Sequence, residues 1–581
     1  MAKIYDLVTD HLTMTTRRSN RLHSGPKRGK RYARKLPHLI GLAAAALLAC
    51  AAPSSGAEST VASGSAKNRT DTVPLYTNLG SHHKRISTRV PATQQYFDQG
   101  LRFVYGFNHA EAIRSFTRAA EIDPTCAMCY WGIALAYGPH VNAPMDSASG
   151  VAAYAAAQKA LALKSHATAS ERAYIEAVAQ RYEADPPADR SRLDTVYSRA
   201  MERVSNTNPN DIDAATLYAE SLMDLRPWNY WRPDGTPYPG TNEIVRQLQR
   251  VLSRNPNHPG ACHYYIHAVE AVNPKAALPC AERLARLMPG EGHMVHMPAH
   301  INIRVGRWND AVQANQHAIH TDEVFIEGQH PMGVYPLAYY PHNIHFLAFA
   351  STMAGRSAQA IEAANTLTSK VNFDVARQVG LLQEMLPYRA LTLTTFGKWD
   401  DVLAEPLPPE DIRFSYAMAY YAGGVAHAAK GQWAEAHAAL DTVTAISAAT
   451  PEGADGKTPL SIAVHALAGE IATRRGDLDA GINHFREAAK IEDAGLYFEP
   501  PKWYYPIRHS LGAALLKAGH HAEAEKVYRE DLQRFPENGW SLFGLVQVLR
   551  AQGKNTEAVA AEARFRRAWA STDVTLTASR F

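Results

Sequence analysis

Small and aromatic apolar positions recur at fixed spacing between polar ones along most of this chain. From about Pro91 onward the recurring unit is a glycine, an alanine five positions later, an aromatic or apolar residue four positions after that, and often a closing proline. Gly519, Ala524, Tyr528 and Pro536 form one such copy. This spacing predicts helical hairpins. A single hairpin cannot bury its apolar face alone, so we expect the hairpins to stack into a superhelix.

The repeating unit resembles the tetratricopeptide repeat (TPR), a helix–turn–helix of about 34 residues, over roughly residues 91–570. Weaker copies turn at Gly306, Gly355, Gly397, Gly431, Gly476 and Gly553. Small residues mark the points where two helices approach closely, and the aromatic residue fills the gap to the next repeat. Since no segment has a strand pattern, the expected fold class is all-α, a TPR-like α-solenoid over residues 91–575.

Two stretches interrupt the repeat and are predicted to be inserted loops. Residues 228–242 are rich in proline, glycine and tryptophan, and residues 323–341 end in a run of tyrosines and prolines. Insertions in solenoids form loops that often carry function. We therefore expect either loop to fold over a groove of the superhelix.

The N-terminal residues 1–57 have the composition of a basic leader followed by an export signal. The first 35 residues carry a net charge of +8, whereas the whole chain carries +4. The remainder therefore carries a net charge of −4, which does not indicate nucleic-acid binding. An apolar stretch from Leu39 to Ala52 is too short to span a membrane and is typical of a secretion signal.

Export predicts a periplasmic or envelope protein. Leu47 to Cys50 resembles a bacterial lipoprotein box, which would make Cys50 a lipidation site and a membrane anchor. Cleavage after Ala57 is the alternative. Residues 58–90 are rich in Ser, Thr, Gly and Asn, so we expect a disordered linker there.

Four further cysteines are disulfide candidates: Cys126, Cys129, Cys262 and Cys280. Their even number fits an oxidising compartment. Cys262 and Cys280 would lie on the two helices of one hairpin, where a bridge is feasible. Cys126 and Cys129 could form a disulfide, a metal half-site or two buried thiols. Because no second such pair exists to complete a zinc knuckle, we favour a disulfide or inert thiols.

A cluster of histidines is the strongest functional signal. His293, His296 and His300 occupy positions 2, 5 and 9 of their repeat, which face the concave groove and span roughly a 60° arc. The next repeat places His342 and His345 at positions 2 and 5. Upstream, a similar arc contains His263, His267 and Glu270. Adjacent first helices lie about 8–10 Å apart, so side chains from three helices are expected to converge.

Imidazoles with a carboxylate suit a transition metal such as Zn, Cu or Fe. Single histidines on a helix are more often satisfied core or surface residues, so three hypotheses stay open. In the first, the groove binds a metal without catalysing a reaction. In the second, the protein is a plain scaffold that binds a protein or peptide. In the third, the protein is a metal-dependent enzyme with Glu270 or a tyrosine as proton-transfer partner. Arg304 would assist if the ligand were an anion or a peptide.

Two further motifs resemble a family of bacterial TPR-like proteins. They are H-Y-x-I-H-A, here His263 to Ala268, and H-x-x-H-M-P-x-H-I, here His293 to Ile301. Cys129 to Gly132 is similar to the first repeat of the same family. No established activity accompanies this resemblance. It therefore implies the architecture and marks the histidines without naming a reaction.

Overall fold

A computed structural model describes residues 73–329, 331, 335–378 and 380–581. The signal segment and Cys50 lie outside these residues. Within them the protein is helical, and no strand forms beyond two isolated bridges, His140 with Ala143 and Trp231 with Pro237. The prediction of an all-α, TPR-like solenoid is confirmed. None of the described helices is both long and apolar enough to cross a membrane.

Among the residues that the structure describes, twelve helices precede residue 306. They are α1 Pro91–Tyr105, α2 His109–Ile122, α3 Ala127–Ala136, α4 Ser147–Ala162, α5 Ala169–Ala179, α6 Ser191–Thr207, α7 Ile212–Met223, α8 Thr241–Arg254, α9 Pro259–Val269, α10 Leu278–Leu287, α11 Gly292–His296 and α12 Pro298–Val305, with short 3₁₀ turns at Lys164–His166 and Pro274–Ala277. Side-chain caps start several of them. Thr168 and Glu171, for example, form a capping box at α5 that satisfies two backbone donors.

The helices after residue 306 continue the hairpins. They are α13 Trp308–Gln329, α14 Tyr340–Met353, α15 Ser357–Lys370, α16 Phe373–Gln378, α17 Tyr388–Thr395, α18 Trp399–Ala404, α19 Arg413–Ala429, α20 Trp433–Ala449, α21 Lys457–Arg475, α22 Leu478–Ala494, α23 Arg508–Lys517, α24 His521–Arg534, α25 Gly539–Ala551 and α26 Asn555–Ala568, with a π-helical turn at Tyr335–Tyr339 and a 3₁₀ turn at Gly380–Glu384. The seven predicted turn glycines, from Gly306 to Gly553, all have φ between 67° and 93°. Side chains rarely adopt this left-handed backbone, which explains the glycine at each turn.

Aromatic residues of the repeat fill the gaps beside glycines on neighbouring helices, as the sequence predicted. A methyl group on Gly132 would lie 2.5 Å from the ring of Phe116, and one on Gly100 would lie 2.7 Å from the same ring. Tyr528 is equally close to Gly544. Such contacts fix how tightly successive hairpins stack, because interiors packed this closely tolerate no extra carbon.

The N-terminal lobe, residues 73–305, closes on itself. Asp213 of α7 accepts hydrogen bonds from Tyr105 Oη of α1 at 2.6 Å, from His82 Nε2 at 2.9 Å and from His258 Nε2 at 3.2 Å. The backbone N–H of Gly290 also donates to the carbonyl of residue 78 at 2.8 Å. These contacts join the first helix to the ninth, so the superhelix is closed here.

The linker prediction for residues 58–90 is wrong for the part that the structure describes. Residues 73–90 have no regular secondary structure, yet Leu79 and Ile86 are buried. Lys84 donates to Asp211 at 2.8 Å. These few apolar and charged anchors outweigh the polar composition on which the prediction rested.

The C-terminal lobe, residues 306–581, closes in the same way. The indole N–H of Trp308 donates to the carbonyl of Pro536 at 2.9 Å, and that of Trp540 donates to the carbonyl of Thr352 at 3.0 Å. Arg474 holds the carbonyl of the last residue, Phe581, at 2.8 Å. The start and the end of this lobe are therefore in contact, as they are in the N-terminal lobe.

The two predicted insertions differ from each other. Residues 228–240 form an irregular loop, and its Trp231 donates to the carbonyl of Ala268 at 2.7 Å before α8 begins at Thr241. The second prediction, a loop over 323–341, is wrong at both ends, because α13 extends to Gln329 and Tyr335–Tyr339 is π-helical. Proline content alone misled the prediction there, since a helix tolerates proline in its first turn.

Cys126 and Cys129 form a disulfide at the start of α3. Cys262 of α9 and Cys280 of α10 are free and buried. The feasible bridge between the two helices of that hairpin is thus not formed, although the Cys280 thiol lies close enough to raise the pKa of Cys262.

Candidate metal centre

Four helical segments position the histidines where the two lobes meet. Helix α9 contributes His263 and His267, and α11 contributes His293 and His296. Pro298 breaks the predicted continuous helix, so His300 belongs to α12, and His342 lies in the first turn of the next contributing helix, α14. All five residues from α9 to α12 are at most 3% exposed. These five histidines therefore lie in the protein interior, and His342 is half-buried.

The first triad comprises His263, His267 and His293. The Nε2 atom of His263 lies 3.2 Å from Nε2 of His267 and 3.1 Å from Nε2 of His293. Zinc–nitrogen bonds of about 2.0–2.1 Å place two tetrahedral ligands about 3.3 Å apart. These two separations are those that ligands of one ion require, and all three ring nitrogens lie within 4.8 Å of one another.

Hydrogen bonds on the other side of the rings fix two of these tautomers. Nδ1 of His263 lies 2.6 Å from the carbonyl oxygen of Tyr105, which only accepts, so this nitrogen carries the proton. Nδ1 of His267 donates to Glu270 at 3.1 Å. Burial holds the pKa of both rings below the usual range, although Glu270 opposes it at His267, so both rings are neutral. Their Nε2 lone pairs consequently face each other with no proton between them.

The second triad comprises His296, His300 and His342. Nε2 of His296 lies 2.8 Å from Nε2 of His300, and the ring of His342 lies 4.9 Å from that of His296. Nδ1 of His296 donates to Asn315 Oδ1 at 2.6 Å. The amide of Asn315 is oriented by its own donation to the carbonyl of Ala311 at 2.8 Å. As in the first triad, the two Nε2 atoms face each other.

Two carboxylates distinguish His300 from the other histidines. Its Nδ1 lies 2.8 Å from Glu270 Oε2 and 2.7 Å from Glu499 Oε2. Although burial opposes it, these carboxylates raise the pKa of His300 to about 10. His300 and His267 in turn lower the pKa of Glu270 to about 2 against its burial. Burial and the neighbouring Glu270 raise the pKa of Glu499 to about 7.

Burial lowers the pKa of the remaining histidines. The pKa values of His293, His296 and His342 are all held well below the usual range, by desolvation first and by neighbouring histidines second. Neutral imidazole is the form that binds metals. The ring faces are dry, because Phe107, Trp228 and Tyr339 lie within 4.5–4.9 Å of them.

Seven of the eight predicted ligands come together, but two roles change. His345 lies away from both triads, packed edge-on against Tyr388 at 4.4 Å, and the prediction that it is a ligand is corrected. Helical spacing does not separate the two residues, since His345 lies only about 60° from His342 around the helix axis; His345 instead packs against Tyr388. Glu270 accepts the Nδ1–H of a ligand in each triad, so it orients ligands rather than binding an ion.

Sequence reasoning missed several contributors to the centre. Asn315, Glu499 and the carbonyl of Tyr105 orient ligands, and Phe107 covers the first triad. Glu499 lies almost 200 residues from His300, and no local pattern marks it. Arg304, the predicted anion-binding residue, instead donates to the carbonyls of Glu270 and Ala271 and to that of Arg534 in the other lobe.

A third group of possible ligands, His82, Asp213 and His258, lies apart in the N-terminal lobe. Asp213 Oδ1 already accepts from both histidines and from Tyr105. Nδ1 of His258 accepts from the N–H of Ala261 and caps α9. Because Asp213 and His258 already make these hydrogen bonds, we interpret the group as structural: it holds the N-terminal lobe closed.

The stacked hairpins and left-handed turn glycines define the chain as a TPR-like repeat protein. No protein-family model matches it. Human tetratricopeptide repeat protein 7A is 33% identical over 106 residues, which are 18% of this chain and 11% of that protein. This chain thus matches only about a tenth of that relative's length.

Solved structures give weaker likenesses. The human IFIT1 dimer with m7Gppp-AAAA is 12% identical, covers 83% of this chain and 90% of its own, and has a TM-score of 0.30. The P58(IPK) TPR domain is 10% identical, with coverage of 80% and 99% and a TM-score of 0.20. At TM-scores this low, neither likeness carries an argument about function.

Proposed function

We propose that this protein binds a transition metal in its interior through the buried histidines. The main support is the geometry of His263 and His267. Their Nε2 atoms lie 3.2 Å apart, and each ring donates its Nδ1 proton to another acceptor, the carbonyl of Tyr105 or Glu270. Without a cation this arrangement is repulsive. A metal ion between the nitrogens turns the same geometry into bonds, and the outer partners match those that metal-binding histidines use.

Export to the periplasm or envelope belongs to the same proposal. It is supported by the basic leader, the apolar stretch before Cys50 and the disulfide between Cys126 and Cys129, since disulfides persist in oxidising compartments. A lipidated Cys50 would hold the protein at the membrane. Protein binding remains the alternative function, and it would use another surface because the histidines are buried.

Metal-dependent catalysis is the second candidate, and one observation favours it. The hydroxyl of Tyr339 is buried without a hydrogen-bond partner, and its ring lies 4.5 Å from that of His293. A tyrosine in this position can donate a proton to a molecule bound at the ion. Glu270, the other predicted proton-transfer group, is occupied by two histidine protons.

The test is metal content of the full chain. The protein is loaded in turn with Zn, Cu and Fe, desalted, and analysed by mass spectrometry beside a His293→Ala/His296→Ala variant. We expect bound metal in the wild type, loss in the variant, and unchanged helicity by circular dichroism. His509→Ala is the matched control, because His509 is also buried and bonded to a carboxylate, Asp531, outside the cluster. A wild type without metal would refute the proposal.

A further inference from the structure

The two triads repeat one structural plan. Each pairs two histidines four residues apart with a third from the next contributing segment: His263 and His267 with His293, and His296 and His300 with His342. The paired Nε2 atoms lie 3.2 Å apart in the first triad and 2.8 Å apart in the second. In each triad, every paired histidine has an outer acceptor on Nδ1.

The triads are immediate neighbours. The rings of His293 and His296 lie on the same short helix, with centroids 6.0 Å apart. The rings of His267 and His300 are 5.5 Å apart and perpendicular. Glu270 lies between them and accepts the Nδ1 proton of one ligand from each triad, at 3.1 Å and 2.8 Å. One carboxylate thus couples the two ligand sets.

We propose that the triads hold two metal ions side by side in one dinuclear centre. Each ion takes three histidine nitrogens, and Glu270 is the shared outer carboxylate. This inference rests on the proposed function and adds the number and coupling of the ions. Three protein ligands leave at least one position open on a four-coordinate ion. Nitrogen donors of this kind suit copper, iron and zinc, and copper is the informative probe.

The charge of the centre identifies the class of its exogenous ligand. All six histidine donors are neutral when bound to metal, and Glu270 and Glu499 supply at most two negative charges. Two divalent ions therefore leave two positive charges uncompensated in a buried site, which is costly. A small anion shared by both open positions, of the class of hydroxide or azide, supplies one of these two missing negative charges and bridges the ions.

The test counts copper and measures how the ions interact. The full chain is loaded with Cu(II), and copper per chain is compared with the electron paramagnetic resonance (EPR) intensity, before and after azide is added. We expect two coppers per chain whose EPR signal is weaker than the copper content requires, because a bridging anion couples the two unpaired spins. This measurement needs no variant.

Two double variants then separate the triads. His263→Ala/His293→Ala and His296→Ala/His342→Ala should each retain one copper, with the full signal of an isolated ion, while His509→Ala should retain two coupled ions. Circular dichroism checks that each variant is folded.

Each of the other outcomes shows whether the dinuclear centre alone fails or the proposed metal binding fails with it. One copper in the wild type, lost in either variant, would show a single shared ion, which overturns the dinuclear centre and keeps the proposed function. Two coppers with the full, uncoupled signal would show separate sites and also overturn it. No bound copper, zinc or iron would overturn both proposals.

Discussion

Replacing Glu270 by glutamine tests whether an outer carboxylate supports both triads. The two carboxylate oxygens accept the Nδ1 protons of His267 at 3.1 Å and His300 at 2.8 Å. Glutamine keeps the shape but offers one accepting oxygen and one donating NH₂ group. In Glu270→Gln, one of the two imidazole N–H groups therefore meets another donor, and that ring loses its orientation and part of its basicity.

We expect Glu270→Gln to lose much of its metal affinity. Removing the outer partner of a metal-binding histidine typically costs about 10–100-fold in metal affinity, or about 1.4–2.7 kcal/mol. We expect a loss in this range, measured by competition with a chromophoric chelator at neutral pH. Since the amide oxygen still serves one histidine, the loss should fall mainly on one of the two ligand sets.

The control for this prediction is Glu470→Gln. Glu470 is also buried, and it is bonded to Arg474 at 3.2 Å and Ser510 at 3.4 Å, outside the histidine cluster. Unchanged metal affinity in Glu270→Gln would refute the assigned role of Glu270. An equal loss in both variants would show a general loss of stability instead of a specific effect on the ligands.

Four further outcomes are expected. Asn315→Ala removes the acceptor of the His296 Nδ1 proton and should weaken binding at the second triad by about 10–100-fold, seen as one weakened step in a copper titration. Gly132→Ala places a methyl group 2.5 Å from Phe116 and should lower the unfolding free energy by about 1–3 kcal/mol in urea. Burial raises the pKa of Asp322 from 3.8 to about 7, so its protonated form stabilises the fold at acid pH and this contribution is lost as pH rises through 7. In Asp322→Asn, the urea midpoint of unfolding, measured at a series of pH values, should decrease less with rising pH than in the wild type. Removing metal with a chelator should lower the melting temperature, because an ion that binds only the folded state stabilises it.

Local periodicity explains what the sequence could predict. The turn glycines, the stacking of Phe116 on small residues and the pairing of His263 with His267 all follow from spacings within one hairpin. The closed lobes do not follow, since they depend on small rotations that accumulate over many repeats. Glu499 reaches His300 only because of that closure. His345 shows the same limit at short range: it shares a helix face with His342, but its ring packs against Tyr388 instead of joining the triads.

The interior position of the histidines is itself an argument for a ligand. An unsatisfied buried polar atom costs about 1–3 kcal/mol. The facing Nε2 atoms of His263 and His267 cannot donate to each other, and a proton on Nε2 of His293 can reach only that of His263. Apolar residues of similar size would fill the space between Phe107, Trp228 and Phe346 without that penalty. Metal ions held by α9, α11, α12 and α14 remove the penalty and join helices on both sides of the boundary between the lobes. The closed superhelix then has a physical role, because it holds the ring nitrogens at metal-ligand separations before an ion arrives.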